Sequence, residues 1–447
     1  MRLLLLLILL LIFSCFFMMV CNGDVMEPLV LSFESFALSS FIAFCYNGFR
    51  IADITIKTVL MIVFALFAYT IGYMLVKGVL QGNGNEKYLR KKRMFRIPSK
   101  FFSFLCLVIE MVITVMVFQS TFSIARMMNA AATVLNMLQY ARNAYLFTDA
   151  GMGLALSVAS FFVLALGYFY TYVIMYCIVG QRQTIKRTLG SRKLELLIVA
   201  ISLFSGMMGT GRTFLIKYIV FLFISFYYTQ FMQKHIRRVS FHGMVKTLVK
   251  LLIAVVVFFA LFQAMGILTD KTGKMSAVNM LYGYSGAAVI AFDRSIEIYQ
   301  YDGRFFGEES FYGLYGFLNA LGCDIPNDIL HLPFVNIENG QSTNIYTSLR
   351  TYLYDFGFVG MYIVQFLLGM ISAVMYALMY RFRMHPVYLV IYGILVYGTA
   401  MQGIEEITLR NFMSITNVFL TFFFILLYIV TQQRKVGIRW RIRWKRK

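Results

Sequence analysis

Apolar residues in this chain come in long runs divided by short polar connections. The runs cover residues 3–20, 29–46, 57–79, 101–119, 152–179, 214–231, 248–267, 353–379, 386–403 and 412–430. Each approaches or exceeds the ~20 residues that a helix needs to cross hydrocarbon. A shorter, glycine-interrupted run at 194–209 reads as a further span, which makes about eleven. Helices are the expected element, because each satisfies its own backbone hydrogen bonds in lipid. The first run follows Arg2 as a signal peptide would, but it is longer than a signal h-region and no small-x-small cleavage site follows it. It is expected to be a retained span.

One gap in the pattern is much longer than the others. Residues 268–349 contain Asp270, Asp293, Glu297, Asp302, Glu308, Glu309, Asp324, Asp328 and Glu338 among aromatics and glycines, with Pro326 and Pro333 interrupting any long helix. A connection of this length in a compact membrane protein is uncommon unless it is functional, and its aromatic content suggests a packed lid. A second region, 120–150, carries Arg126, Asn129, Thr133, Asn136 and Asn143 at steps near three and four. That is the polar stripe of an amphipathic helix lying flat on the outer interface or partly re-entrant.

Composition agrees with the pattern. Hydrophobic residues make up 60% and charged residues 14%, against roughly 25% charged in a soluble domain. The mean hydropathy is +0.74. A net charge of +21 would suggest nucleic acid, but its distribution argues otherwise. The cations cluster in alternate connections: Lys87 to Lys100, Arg182 to Lys193, Lys234 to Lys246, Arg381 and Arg383, and the tail from Arg434 to Lys447. This is the positive-inside signature. It places the C-terminus in the cytoplasm, the 268–349 loop outside and the tail on anionic headgroups. The exception is the 21–28 turn, cytoplasmic by this count, which holds Asp24 and Glu27 and no cation. The expected organisation is therefore eight spans in 1–267, an extracytoplasmic loop at 268–349, three spans in 350–431 and a basic tail at 432–447.

Charges in or beside spans carry the functional signal. Glu34, Glu110 and Lys217 fall inside spans, where the plain expectation is that Glu110 pairs with Lys217 or is neutral. Arg142, Arg212, Arg350 and Arg410 stand at outer span ends, against the charge bias. Any one of them could anchor a lipid headgroup. Together they suggest an anion site, since guanidinium binds diphosphate bidentately and keeps its charge. Arg212 also follows Gly209-Thr210-Gly211, whose amides would favour an anion. Asp355, five residues after Arg350, is either a salt-bridge partner, a base or a positioner of that arginine. Glu405-Glu406 is a third acidic candidate, and His331 is the one histidine on the outer side. No outer Asp-x-Asp and no metal-ligand spacing of the six cysteines occurs, so no metal or cofactor is expected.

The stretch Thr343-Asn344-Ile345-Tyr346-Thr347-Ser348-Leu349-Arg350, followed by Tyr352, Asp355-Phe356-Gly357 and Gly360, resembles the oligosaccharide repeat-unit (O-antigen, Wzy-type) polymerases. Tyr284-Ser285-Gly286, Ala291-Phe292-Asp293 and Gly307-Glu308-Glu309-Ser310-Phe311 are similar to the same family's large loop. Pro28, Phe67 and Gly72 fit its beginning, and Arg212 resembles an arginine also seen in O-antigen ligases. The loop has few histidines and the 21–28 turn lacks the family's basic residues. The resemblance implies an all-α polytopic membrane glycosyltransferase of GT-C-like architecture in a bacterial cytoplasmic membrane. Its substrate would be a polyprenyl-diphosphate-linked oligosaccharide, with chain-length regulator and flippase proteins as partners. It further implies Arg142, Arg212 and Arg350 on the diphosphate, Tyr346 at the substrate, and Asp355 or His331 as base. A flippase and an O-antigen ligase-type transferase are the competing expectations.

Overall fold

In the computed structural model the chain is a helical bundle, described for residues 1–21, 23–47, 53–82, 95–134, 136–148, 150–181, 183–209, 213–233, 277–298, 305–325, 332–337, 342–382 and 385–432. The first half comprises α1 (Arg2–Val20), α2 (Pro28–Asn47), α3 (Ile56–Gly82), α4 (Lys100–Met128), α5 (Met137–Phe147), α6 (Leu154–Met175), α7 (Ile185–Ser191), α8 (Lys193–Met207) and α9 (Thr213–Gln233). The loop contributes α10 (Ala277–Leu281), α11 (Ala287–Ile298), α12 (Tyr312–Ala320) and a two-residue ladder of β1 (Val335–Asn336) with β2 (Ser342–Thr343). The last helices are α13 (Ser348–Arg381), α14 (Pro386–Met401), α15 (Thr408–Phe412) and α16 (Ile415–Gln432). Seven of the described helices are long and apolar enough to cross a membrane, namely α1 to α4, α6, α13 and α16. Ten of the eleven expected spans coincide with helices, and the eleventh, 248–267, lies outside the described residues.

The central contact is between α3 and α13. A Cβ at Gly72 would overlap the carbonyl of Phe366, and one at Gly369 would overlap that of Tyr69. Two backbones lie together here because neither glycine carries a side chain. Around this seam, α1, α2 and the loop helices form one apolar core, while α6, α9, α14 and α16 form a second.

Three expectations are corrected. First, residues 120–150 are not one amphipathic helix. α4 runs to Met128, and the polar residues after it build turns: Asn129 Oδ1 accepts from Ala131 N at 2.9 Å and Asn136 Oδ1 from Thr133 N at 2.6 Å. Asparagine side chains here outcompete the helix for backbone amides. Second, the 268–349 segment is more than a covering lid. Its α10–α11 stretch packs along α2, with Ser39 Oγ donating to Ser285 O at 2.7 Å and the Tyr46 and Tyr282 rings stacked at 3.9 Å. Asp293, fully enclosed, accepts from Thr55 N at 2.7 Å and from the Thr58 hydroxyl at 2.5 Å, tying the loop to the start of α3.

Third, the span expected at 353–379 is only part of a longer element. α13 is interrupted at Gly357, where φ is 69° and ψ is −175°, a conformation that is essentially restricted to glycine. Its first limb begins deep in the bundle: Ser348 N donates to Gln402 O at 2.8 Å, and neighbouring Gly403 N donates to Ser35 Oγ at 2.8 Å. Ser35 lies about 10 Å along α2 from its Pro28 end, given 1.5 Å per residue. Just past the break, Phe358 reaches Lys57 in the opening turn of α3, with Nζ 5.1 Å from the ring centroid. The limb 348–356 therefore climbs from mid-bundle toward the loop end, and the chain turns at Gly357 and descends beside α3.

Candidate functional site

The climbing limb places Arg350 in its first turn and Asp355 in its last. Arg350 is buried, and its guanidinium lies between two aromatic rings, 5.1 Å from the centroid of Tyr346 and 4.9 Å from that of Tyr354. This is the stacked geometry that suits a planar cation. Tyr346 is fixed in turn by donating to Pro333 O at 2.7 Å, so the loop residue ahead of the helix orients the ring.

One nitrogen of the Arg350 guanidinium is ion-paired with Glu309 from the loop. Glu309 belongs to a turn at 305–311 whose aromatic face packs on the helix break, with Phe306 5.1 Å and Phe311 6.1 Å from the Phe356 ring. Asp355 binds the same turn through its backbone, accepting from Glu309 N at 3.2 Å and Ser310 N at 2.6 Å. The expected alternatives for Asp355 thus meet a carboxylate with both oxygens engaged. In this state it holds the 305–311 turn, while the ion pair of Arg350 goes to Glu309. Burial pushes the Glu309 carboxyl above its ordinary value, against the opposing pull of Arg350.

The segment after α14 closes the site from the other side. Glu406 is buried and accepts from Leu409 N at 2.7 Å and Arg410 N at 3.0 Å, capping the five-residue α15. It also accepts from Tyr352 Oη at 2.9 Å, tying that cap to the climbing limb. Burial raises its carboxyl to about 7. Arg410 stacks 5.4 Å from the Tyr312 centroid and lies 3.9 Å from Glu405. Arg350 and Arg410 both act electrostatically on Glu309. Of the four span-end arginines, Arg350 pairs with Glu309 and Arg410 with the neighbouring Glu405.

The other expected residues fall elsewhere. Arg142 is half-buried on α5, which packs on α4, and it makes no ion pair among the described residues. Arg212 and His331 lie outside the described residues. Glu110 and Lys217 are not partners. α4 packs on α5, α6 and α8, and the Glu110 carboxylate makes no hydrogen bond among the described residues. Lys217 instead lines a cavity between α6, α8, α9, α14 and α16. No group of His, Cys, Asp and Glu among the described residues could hold a metal ion.

Sequence reading missed Glu309 as the partner of Arg350, because 41 residues separate them. Its one sequence signal was its place in Gly307-Glu308-Glu309-Ser310-Phe311. No protein-family model, no curated protein and no solved structure matches the chain.

Proposed function

We propose that this chain is a membrane glycosyltransferase that polymerises polyprenyl-diphosphate-linked oligosaccharide repeat units at the outer face of a bacterial cytoplasmic membrane. The observation that carries this reading is the Arg350 locus. A buried guanidinium stacked between two tyrosines, with a second arginine close by, offers an anion site whose present occupant is a loop carboxylate. An incoming diphosphate has the charge and the oxygens to displace Glu309 from that guanidinium.

Displacement would also free a base. Glu309 then takes the proton of the acceptor hydroxyl, whose oxygen attacks the donor's anomeric carbon. The bond from that carbon to the phosphate oxygen breaks, and the diphosphate leaves with its charge on Arg350 and Arg410. Asp355 is a positioning residue in this scheme, since it fixes the turn that carries Glu309. Arg142, Arg212 and His331 keep their expected roles as proposals, with chain-length regulator and flippase proteins as partners.

A flippase is the second reading, favoured by the broken α13, because transporters build substrate sites at interrupted helices. Surface glycan separates the two. With Arg350→Ala in the native host, polymerase loss removes long chains while single-repeat products persist, and turnover falls by about 10²–10³-fold. A flippase defect removes the single units as well. Unchanged chain lengths with the protein inserted and abundant would refute the role of Arg350. Arg350→Lys keeps the charge, loses the fork and is expected to restore little.

A further inference from the structure

The cavity at Lys217 does not include Arg350, though Ile407 and Asn411, on either side of Arg410, line part of its wall. It has a volume of about 100 Å³. Lys217 is one turn into α9, Tyr397 one turn from the end of α14, and Asn417 in the first turn of α16. These three side chains mark the loop end of the cavity. One turn or more deeper on the same helices, Phe221, Ile394 and Leu420 line it with hydrocarbon. The arrangement is that of an amphiphile, with a cationic and hydrogen-bonding top above a largely apolar floor.

The top also lacks compensation. The Lys217 ammonium makes no hydrogen bond and no ion pair among the described residues. The carboxylate that acts on it, Glu405, is shared with Arg410 at 3.9 Å. The Tyr397 hydroxyl, buried at 3% exposure, has no hydrogen-bond partner among the described residues. Donors left like this in a low-dielectric site call for an anion with several acceptor oxygens.

We propose that this cavity binds the head of a phosphate-bearing lipid, with the phosphate at Lys217 and Tyr397 and the chain running toward Phe221 and Leu420. The assignment rests on the cavity's own chemistry and stands whether or not the Arg350 site transfers sugars.

The test uses the full chain in phosphatidylcholine nanodiscs with tritiated farnesyl monophosphate as the probe. Saturable binding is expected, competed by dodecyl phosphate but not by farnesol or inorganic phosphate. Lys217→Met should weaken it by about tenfold or more, the equivalent of one charge-assisted contact. Lys217→Arg should largely preserve it, and Tyr397→Phe should weaken it less. Binding that follows Arg350 and ignores Lys217 would place the lipid at the other locus and overturn this proposal while sparing the polymerase reading. Equal competition by farnesol, or by inorganic phosphate alone, would overturn it as well. A measurement on the unaltered protein guards against a variant that does not fold. Farnesyl monophosphate should protect Lys217 from reductive methylation, read by peptide mass spectrometry, and failure to protect contradicts the site.

Discussion

Glu309 is the residue on which the site turns. It is buried beside two arginines, yet burial still raises its carboxyl above the ordinary glutamate value. A base must be deprotonated to work, so polymerisation should fail on acidification through a pKa higher than that of a free glutamate. Glu309→Gln should abolish that acid limb and lower kcat. Because the amide competes poorly for Arg350, it should also lower KM for the lipid-linked donor. An unshifted pH profile in the variant, measured with membranes and a defined donor, would remove Glu309 from the chemistry. At this scale the sequence was informative where charge and place coincided. Arg350 stood out as a cation against the outer-side bias, and it is buried at the site. Glu110 and Lys217 looked like partners only because both are charges inside spans. Which helices adjoin is decided by packing, and α4 does not carry Glu110 to the α9 cavity.

Among the elements, long apolar runs were legible because hydrocarbon thickness sets their length. The division of α13 was not. Its 34 residues read as one span with a polar lead-in, and nothing in hydropathy marks where a helix reverses. Gly357 alone signals it, and a glycine inside an apolar helix is ordinary in membranes. Any side chain at Gly357 would be forced into backbone space that L-residues avoid, at a cost of about 1–3 kcal/mol. The penalty falls between Asp355, which holds the loop turn, and Phe358, which reaches Lys57. Gly357→Ala should therefore release the 305–311 turn before it unfolds the bundle. Hydrogen exchange should rise at the Glu309 and Ser310 amides with little change across the descending limb. Uniform loss of protection along α13 would mean that the break merely bends a helix and does not position the loop. The same logic explains why 120–150 misled. Asn129 and Asn136 have the spacing of a helical stripe, but their side chains close turns instead.

For the whole molecule the telling segment is the 21–28 turn, the exception to the charge bias. Its two acids do not face solvent. Glu27 is buried, ion-paired with Lys77 of α3, and accepts from Tyr73 Oη at 2.7 Å. Asp24 accepts from Tyr227 of α9 at 3.0 Å and Tyr376 of α13 at 2.6 Å, so one turn ties both halves of the bundle together. The missing cation is thus supplied by a neighbouring helix, and the turn does not count against the basic end being cytoplasmic. Burial raises the Asp24 carboxyl from 3.8 to about 6. The folded state then binds that proton more tightly than the unfolded one, so this contribution is full below pH 3.8 and is lost as pH rises through about 6. The loss amounts to about 3 kcal/mol at most. Asp24→Asn should flatten that part of the stability–pH curve of the solubilised protein. The sidedness itself is open to a direct test. Cys323 is exposed on the loop and Leu189 is exposed in the basic connection that holds α7. In spheroplasts, with the remaining cysteines replaced, Cys323 should react with an impermeant maleimide from outside. A Leu189→Cys variant should react only after permeabilisation. The reverse pattern would put the Arg350 site on the cytoplasmic face, where lipid-linked units are flipped from rather than joined, and the polymerase reading would fail with it.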